Sequence, residues 1–222
     1  MMVSSCDEMQ NRPKGLLCQS ECLNLCVQNY RLMKVEQYVM AYLVEHDRLR
    51  AIIPAGFTSI RPVLRINAEI RDDSIGYIEF NTAVERDGVK GWLNISFWDE
   101  APFKRAGKKT EFNTDFLDIA FTGVGIDGSC PAEKDNAGCF FLHGAEPFRK
   151  AEVITANKEF CDCAFRWKFA DGDAHGESLG KTLPAYPQEI ATVYPGKPFT
   201  AESAASIPCE QVLGAYKVTF ER

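Results

Sequence analysis

The sequence has no apolar run approaching the ~20 residues that a membrane-spanning helix requires. It is also short of positive charge, with 25 Lys and Arg against 31 Asp and Glu, a formal net charge of -6 over 222 residues. Nucleic acid and anionic membrane both select basic surfaces, so neither is expected as the main partner. Missing too are a P-loop and an HExxH helix; the spacing GxGxxG occurs at 123–128 and GxSxG at 176–180, but neither opens a segment that reads as a helix. Without that strand-to-helix context the usual sequence marks of dinucleotide binding and nucleophilic-serine hydrolysis are lacking, as are those of phosphate cradling and zinc proteolysis. Histidine is scarce: His46, His143 and His175 are scattered, and no pair has ligand spacing. The segment "GVGIDGSCPAEKDNAG" (123–138) has glycines and acids but not the spacing of an EF-hand loop. It reads as a long loop, and loops of that length are often functional. No signal-peptide core is present either, because "GLLCQSECLNLC" after Lys14 is too polar. A cytoplasmic location is the default expectation.

Cysteine is not scarce. There are nine, an odd number in a long chain without a secretion signal, which favours reduced thiols. On a helix, Cys18, Cys22 and Cys26 would share one face with neighbours about 5–6 Å apart at Cβ. Two of them could share an ion, but the outer pair lies too far apart for three to close one tetrahedral site. No metal and no cofactor are expected. Cys161 and Cys163 have the spacing that puts both thiols on one face of a strand, and buried small hydrophobes are the expected role of most of these cysteines.

What the sequence does carry is β structure. "GYIEFNTAVERDGVKGWLNISFW" (76–98) has Asp87-Gly88 between two alternating runs, the signal of a hairpin with a type I′ turn. That turn sets a register. Val84 faces Gly91, Thr82 faces Leu93, Phe80 faces Ile95 and Ile78 faces Phe97, which makes one buried face. The other face carries Tyr77 opposite Trp98, Glu79 opposite Ser96, Asn81 opposite Asn94 and Ala83 opposite Trp92. Large aromatics around a small polar centre suit a lined cavity better than a solvated surface. "RPVLRINAEIR" (61–71) repeats the pattern, with Leu64, Ile66, Ala68 and Ile70 on one side and Arg65, Asn67 and Glu69 on the other. Three such strands place these polar residues on a common side, as a flat exposed sheet could, or a small barrel with a polar interior.

Residues 1–32 show no strand alternation and are expected to be a weakly structured N-terminal extension. "MKVEQYVMAYLVEHDRLRAIIP" (33–54) reads as a strand followed by a helix that starts near His46 and ends before Pro54. Further strand-like runs cover 110–123, 138–143, 151–156, 158–169, 176–183, 188–194 and 209–221, divided by Gly, Pro, Asn and Asp clusters. The expectation is a predominantly β (α+β) fold, an antiparallel barrel or sandwich with one early helix, over residues 33–222 as a single domain.

"HDRLRAIIPAGF", "VLRINAEI" and "GYIEFNTAVERDGVKGWLNISFWDEAP" (within 33–102) resemble, in order and spacing, the N-terminal half of acetoacetate decarboxylase and of related uncharacterised bacterial proteins with a Glu-x-Asn strand, here Glu79 and Asn81. The resemblance covers about a third of the chain. It implies an antiparallel, cone-like β barrel with a central pocket, in which Glu79 matches the family's pocket glutamate. The family's lysine motif, Gly-Arg-Glu and then Pro-Lys-Lys, is not present. The region reads "FKRAGKKTEFN", so Lys108-Lys109 stands near the expected place without its glycine-arginine-glutamate or proline, in what is also a good polar hairpin tip. Lys150 in "GAEPFRKAEV" follows a Gly-x-Glu but comes late in the chain. The decarboxylase is itself the standard example of a lysine activated by a neighbouring cation.

The resulting expectation is a small-molecule-binding barrel, a lyase if it is an enzyme, with no membrane or nucleic-acid partner and with a homo-oligomer left open. Arg65 would pair bidentately with a carboxylate. Glu79, Asn81, Asn94 and Ser96 would supply hydrogen bonds, and Tyr77, Trp92 and Trp98 the walls. The alternative is a non-catalytic scaffold whose polar face is solvated.

Overall fold

The computed structural model describes residues 32–126, 130, 132, 136–142, 147–169, 174–178 and 196–222. Its strands form one mainly antiparallel sheet. They are β1 (Lys34–Leu43), β2 (Thr58–Arg71), β3 (Ile75–Arg86), β4 (Val89–Asp99), β5 (Phe103–Ala106), β6 (Lys109–Asn113), β7 (Leu117–Ile126), β8 (Gly138–Phe140), β9 (Phe148–Lys150), β10 (Glu159–Trp167), β11 (His175–Glu177) and β12 (Gln211–Glu221). The hydrogen-bonded order is β5-β6-β7-β10-β12-β1-β2-β3-β4-β8-β9, with β11 pairing off β10. A helix begins at His46 (α1, His46–Ile52), as its place in the sequence suggests. A second short helix that the sequence did not signal (α2, Ala201–Ala205) starts at Thr200, whose hydroxyl accepts from the Ser203 N–H. No described helix is long and apolar enough to cross a membrane.

Strict alternation on β1, β2 and β3 builds two cores, one on each face. Tyr38, Met40, Tyr42, Leu64, Ile66, Ile78 and Phe80 pack in the larger. Val39, Ala41, Leu43, Val63, Ala83 and Trp92 pack with Leu213, Tyr216 and Val218 in the second. Cys161 and Cys163 do share a face and are buried in the larger core.

The expected closed barrel is not borne out: among the described residues β5 and β9 end the sheet and do not pair with each other, so the described sheet is open. Both edge strands are very short, four and three residues, and offer few ladder groups to a partner. Side chains hold the β5 end instead. Arg105 on β5 pairs with Glu36 at 2.7 Å and with Asp73 in the β2–β3 turn at 3.0 Å, while the Ala101 N–H donates to the Gly76 carbonyl at 2.9 Å.

The β3–β4 turn is as expected, with Asp87 at φ 51° and Gly88 at φ 77°. The register holds from Arg86↔Val89 to Asn81↔Asn94, then shifts by one at an unpaired Ile95. This bulge corrects the second half of the hairpin. Ser96 now faces Phe80 and Trp98 faces Ile78, while Phe97 and Asp99 take their places beside Glu79 and Tyr77. A bulge adds one residue to one strand only, so every residue beyond it changes face. The run 110–123 is two strands rather than one, broken at Thr114, whose hydroxyl accepts from the Leu117 N–H. No strand covers 151–156; β9 precedes it at Phe148–Lys150.

Candidate functional site

The polar side of β2 and β3 survives as a surface and is buried. Register sets out its rows. Gln37 faces Glu69, which faces Tyr77; Asn67 faces Glu79; Arg65 faces Asn81, which faces Asn94. Arg65, Asn67, Glu69, Glu79, Asn81 and Asn94 are each less than 9% exposed. β8, which pairs in parallel with β4 through Trp92↔Cys139 and Leu93↔Phe140, brings β9 and the residues after it to this side. Between them lies a cavity of about 110 Å³, lined among others by Arg65, Asn67, Glu79, Cys139, Arg149 and Lys150. At about 30 Å³ per water it has room for roughly four waters or an organic molecule of that bulk.

Gly138 makes this wall possible. A Cβ there would stand 2.1 Å from the Arg149 carbonyl oxygen and 2.9 Å from the Lys150 Cα, so only glycine lets β9 approach β8 so closely.

Two kinds of polar group line the cavity. Glu69 is fully engaged: Gln37 donates to one oxygen at 3.1 Å, and Arg71 and Arg222 both donate to the other at 2.8 Å. Arg222 also reaches Glu152 at 3.2 Å. These residues are a structural brace. Arg65 and Asn67 are different. The Arg65 Nε and the Asn67 Oδ1 are buried with no hydrogen-bond partner among the described residues. Behind them, the Asn81 Nδ2 and the Trp92 Nε1 are in the same condition. An unsatisfied buried polar group costs about 1–3 kcal/mol, so four on one face mark a place where water or a ligand completes the bonding.

The orientation of Asn81 is decided by its neighbour. The Asn94 amide nitrogen donates to the Ser96 carbonyl and to the Asn81 Oδ1, both at 3.3 Å. A carbonyl can only accept, so Asn94 must present its NH2 there, and Asn81 must turn its oxygen toward Asn94. Its own NH2 is left over. Ser96 therefore contributes through its backbone and not as a cavity side chain.

Tyr77 donates its hydroxyl to Glu79 Oε1 at 2.6 Å, and the Arg71 guanidinium lies 3.7 Å from the Tyr77 ring centre. Burial and the adjacent Glu79 push the Tyr77 hydroxyl far up, so it stays a donor. Cys139 is also pushed up by burial, only partly offset by Arg65. Its Sγ lies 3.9 Å from Arg65 Nη2.

Of the expected site residues, Arg65 and Glu79 line the cavity. Asn81, Asn94 and Trp92 lie on the same face, with Trp92 fully buried 4.0 Å beneath the Arg65 guanidinium. Tyr77 touches the cavity through Glu79. Trp98 does not belong there: it stacks on Phe116 at 4.1 Å in the larger core. Lys108 and Lys109 are exposed at the β5–β6 hairpin tip, where Lys109 pairs with Glu111. Lys150 does line the cavity. Gln37, Cys139, Arg149, Glu152 and Arg222 were missed. Gln37 alone left a signal, a polar residue inside an apolar strand. Cys18, Cys22, Cys26 and His143 lie outside the described residues. Among the described residues, no group of three or more His, Cys, Asp or Glu is placed to hold a metal ion.

No protein-family profile matches the chain, and no curated protein matches it. In structure it is similar to acetoacetate decarboxylase from Legionella pneumophila, at 11% identity and a TM-score of 0.47, over 94% of each chain. It is also similar to the enduracididine biosynthesis enzyme MppR with HEPES bound, at 10% identity and a TM-score of 0.44, over 86% of this chain and 83% of that one. An acetoacetate decarboxylase-like enzyme from Sphingomonas wittichii matches at 10% identity and a TM-score of 0.40, over 85% of this chain and 89% of that one. At these identities and scores no residue role passes from those proteins to this chain.

Proposed function

We propose that this chain binds a small polar, carboxylated molecule in the cavity over Arg65, Asn67 and Glu79. The observation that carries this reading is the pair of buried, unpartnered polar atoms on the cavity wall, Arg65 Nε and Asn67 Oδ1. A carboxylate accepts from the Arg65 fork in a charge-assisted bond, and a hydroxyl or amide on the ligand donates to Asn67. Burial of the polar face favours this over a scaffold with a solvated sheet. Calorimetry with a panel of small carboxylates, neutral amides and amines tests it. Carboxylates are expected to bind and Arg65→Ala to abolish binding; a preference for neutral compounds or amines overturns the reading.

A second reading, a lyase in which Lys150 forms an imine with a ligand carbonyl, is favoured by one observation, the place of Lys150 on the cavity wall. Borohydride reduction in the presence of a keto acid tests it, with a trapped Lys150 peptide in its favour.

A further inference from the structure

The cavity brings a thiol to the residues that would hold the ligand. Cys139 lines it together with Arg65, Asn67 and Glu79. β8 presents this cysteine, and the Gly138 contact with β9 leaves β8 little freedom to turn it elsewhere. The guanidinium beneath it is fixed on both sides. Arg65 lies over the Trp92 ring at 4.0 Å and directs Nη2 at Sγ from 3.9 Å, which leaves Nε without a partner among the described residues, in a residue that is 6% exposed. A thiol beside an unpartnered, buried arginine nitrogen is an arrangement for a ligand that is both anionic and electrophilic.

We propose that Cys139 is the covalent contact of this site, adding reversibly to the carbonyl carbon of a small 2-oxo carboxylate bound by Arg65. This rests on the reading of the cavity as a carboxylate site. In the step, the S–H bond breaks and an S–C bond forms. The C=O π pair moves to oxygen, which takes the proton, with Glu79 in the same cavity as the base that accepts and returns it. The product is a hemithioketal, and no oxidant, reductant or second reactant is consumed. Burial keeps Cys139 as the thiol before the ligand arrives, so the base is needed and the unliganded cysteine is poorly reactive.

Two measurements on the full-length protein decide it. The first is carbon NMR with pyruvate labelled at C2. The expected result is a protein-dependent tetrahedral carbon resonance, distinct from the hydrate, that is lost in Cys139→Ala and kept in Lys150→Met. If the labelled carbon instead gives a new trigonal, imine-type resonance that is lost in Lys150→Met and kept in Cys139→Ala, the covalent contact is the lysine and the proposal falls. Pyruvate that binds by calorimetry with its carbonyl resonance unchanged overturns the thiol but leaves the carboxylate site standing. Failure of pyruvate to bind overturns the proposal, while binding of other carboxylates in the calorimetric panel still decides the site. The second measurement needs no variant. 3-Bromopyruvate, which alkylates a thiol at C3 with loss of bromide, is expected to label Cys139 about tenfold or more faster than Cys130, Cys161, Cys163 or Cys209, a difference worth ~1.4 kcal/mol. Neutral iodoacetamide is expected to show no such preference. Equal labelling by bromopyruvate across the five overturns the proposal.

Discussion

Arg65 lies over the Trp92 ring, guanidinium carbon to ring centre 4.0 Å, with the indole fully buried beneath it. Arg61 adds a second cation at 5.4 Å from the same ring. A desolvated cation–π contact is worth ~0.5–2 kcal/mol, and here it aims the arginine as well as holding it. Trp92→Leu keeps an apolar filling and removes the platform. Binding of a small carboxylate is expected to weaken about 2- to 30-fold, the range that energy allows. Calorimetry on the folded variant checks this; unchanged affinity would show that Arg65 is positioned without the ring.

Lys108 and Lys109 are expected to be unreactive. A Schiff-base lysine must lose its proton, through burial or a neighbouring cation. Both of these are exposed, and Lys109 has an anionic partner in Glu111. Borohydride with acetoacetate should trap no adduct on either. Glu79→Gln should disturb ligand binding more than Lys109→Met. A trapped peptide containing Lys108 or Lys109 would contradict both expectations.

Gly138→Ala should lower the melting temperature and open the cavity wall. Its Cβ would meet backbone on β9, and backbone cannot rotate away as a flexible side chain can. Overpacking of this kind costs about 1–3 kcal/mol. Thermal melting with a ligand titration reads both effects, and an alanine variant with wild-type stability would refute the close approach.

The ionic latch at β5 gives an acid-sensitive contribution to stability. Burial would raise the Glu36 carboxyl, but Lys217 at 2.8 Å and Arg105 at 2.7 Å outweigh it and hold the group below its ordinary value of 4.5. A depressed carboxyl contributes stability that is complete above its unfolded value and lost as pH falls through the folded one. Melting temperature should therefore drop as the pH is lowered past about 4.5, and less steeply in Glu36→Gln. Parallel curves for the two proteins would mean that Glu36 carries no part of the acid sensitivity.

Removal of residues 1–32 is expected to leave a folded protein, because their composition gives them little to bury. Cooperative melting of residues 33–222 is the check. An insoluble or non-cooperative fragment would make the leader part of the core.

Local pattern determined much of this chain. Period-2 alternation in β1, β2 and β3 sorts side chains to two faces whatever the rest of the chain does, and Asp87-Gly88 supplies the positive φ that its hairpin turn requires. So Arg65, Glu79, Asn81 and Asn94 could be placed on one polar face from the sequence. Three things lay beyond reach. The bulge at Ile95, which sends Ser96 and Trp98 to the other side, depends on what packs against each face of β4 and leaves no mark in the alternation. Closure of the sheet is a property of its two ends, and β5 and β9 are too far apart in sequence for any local rule to say whether they meet. The far wall of the cavity, with Cys139, Arg149 and Lys150, comes from a parallel pairing of β8 with β4 about 45 residues away. Only burial of that side of the sheet could choose that partner, because the apolar area that drives such long-range pairing is counted in three dimensions and not along the chain.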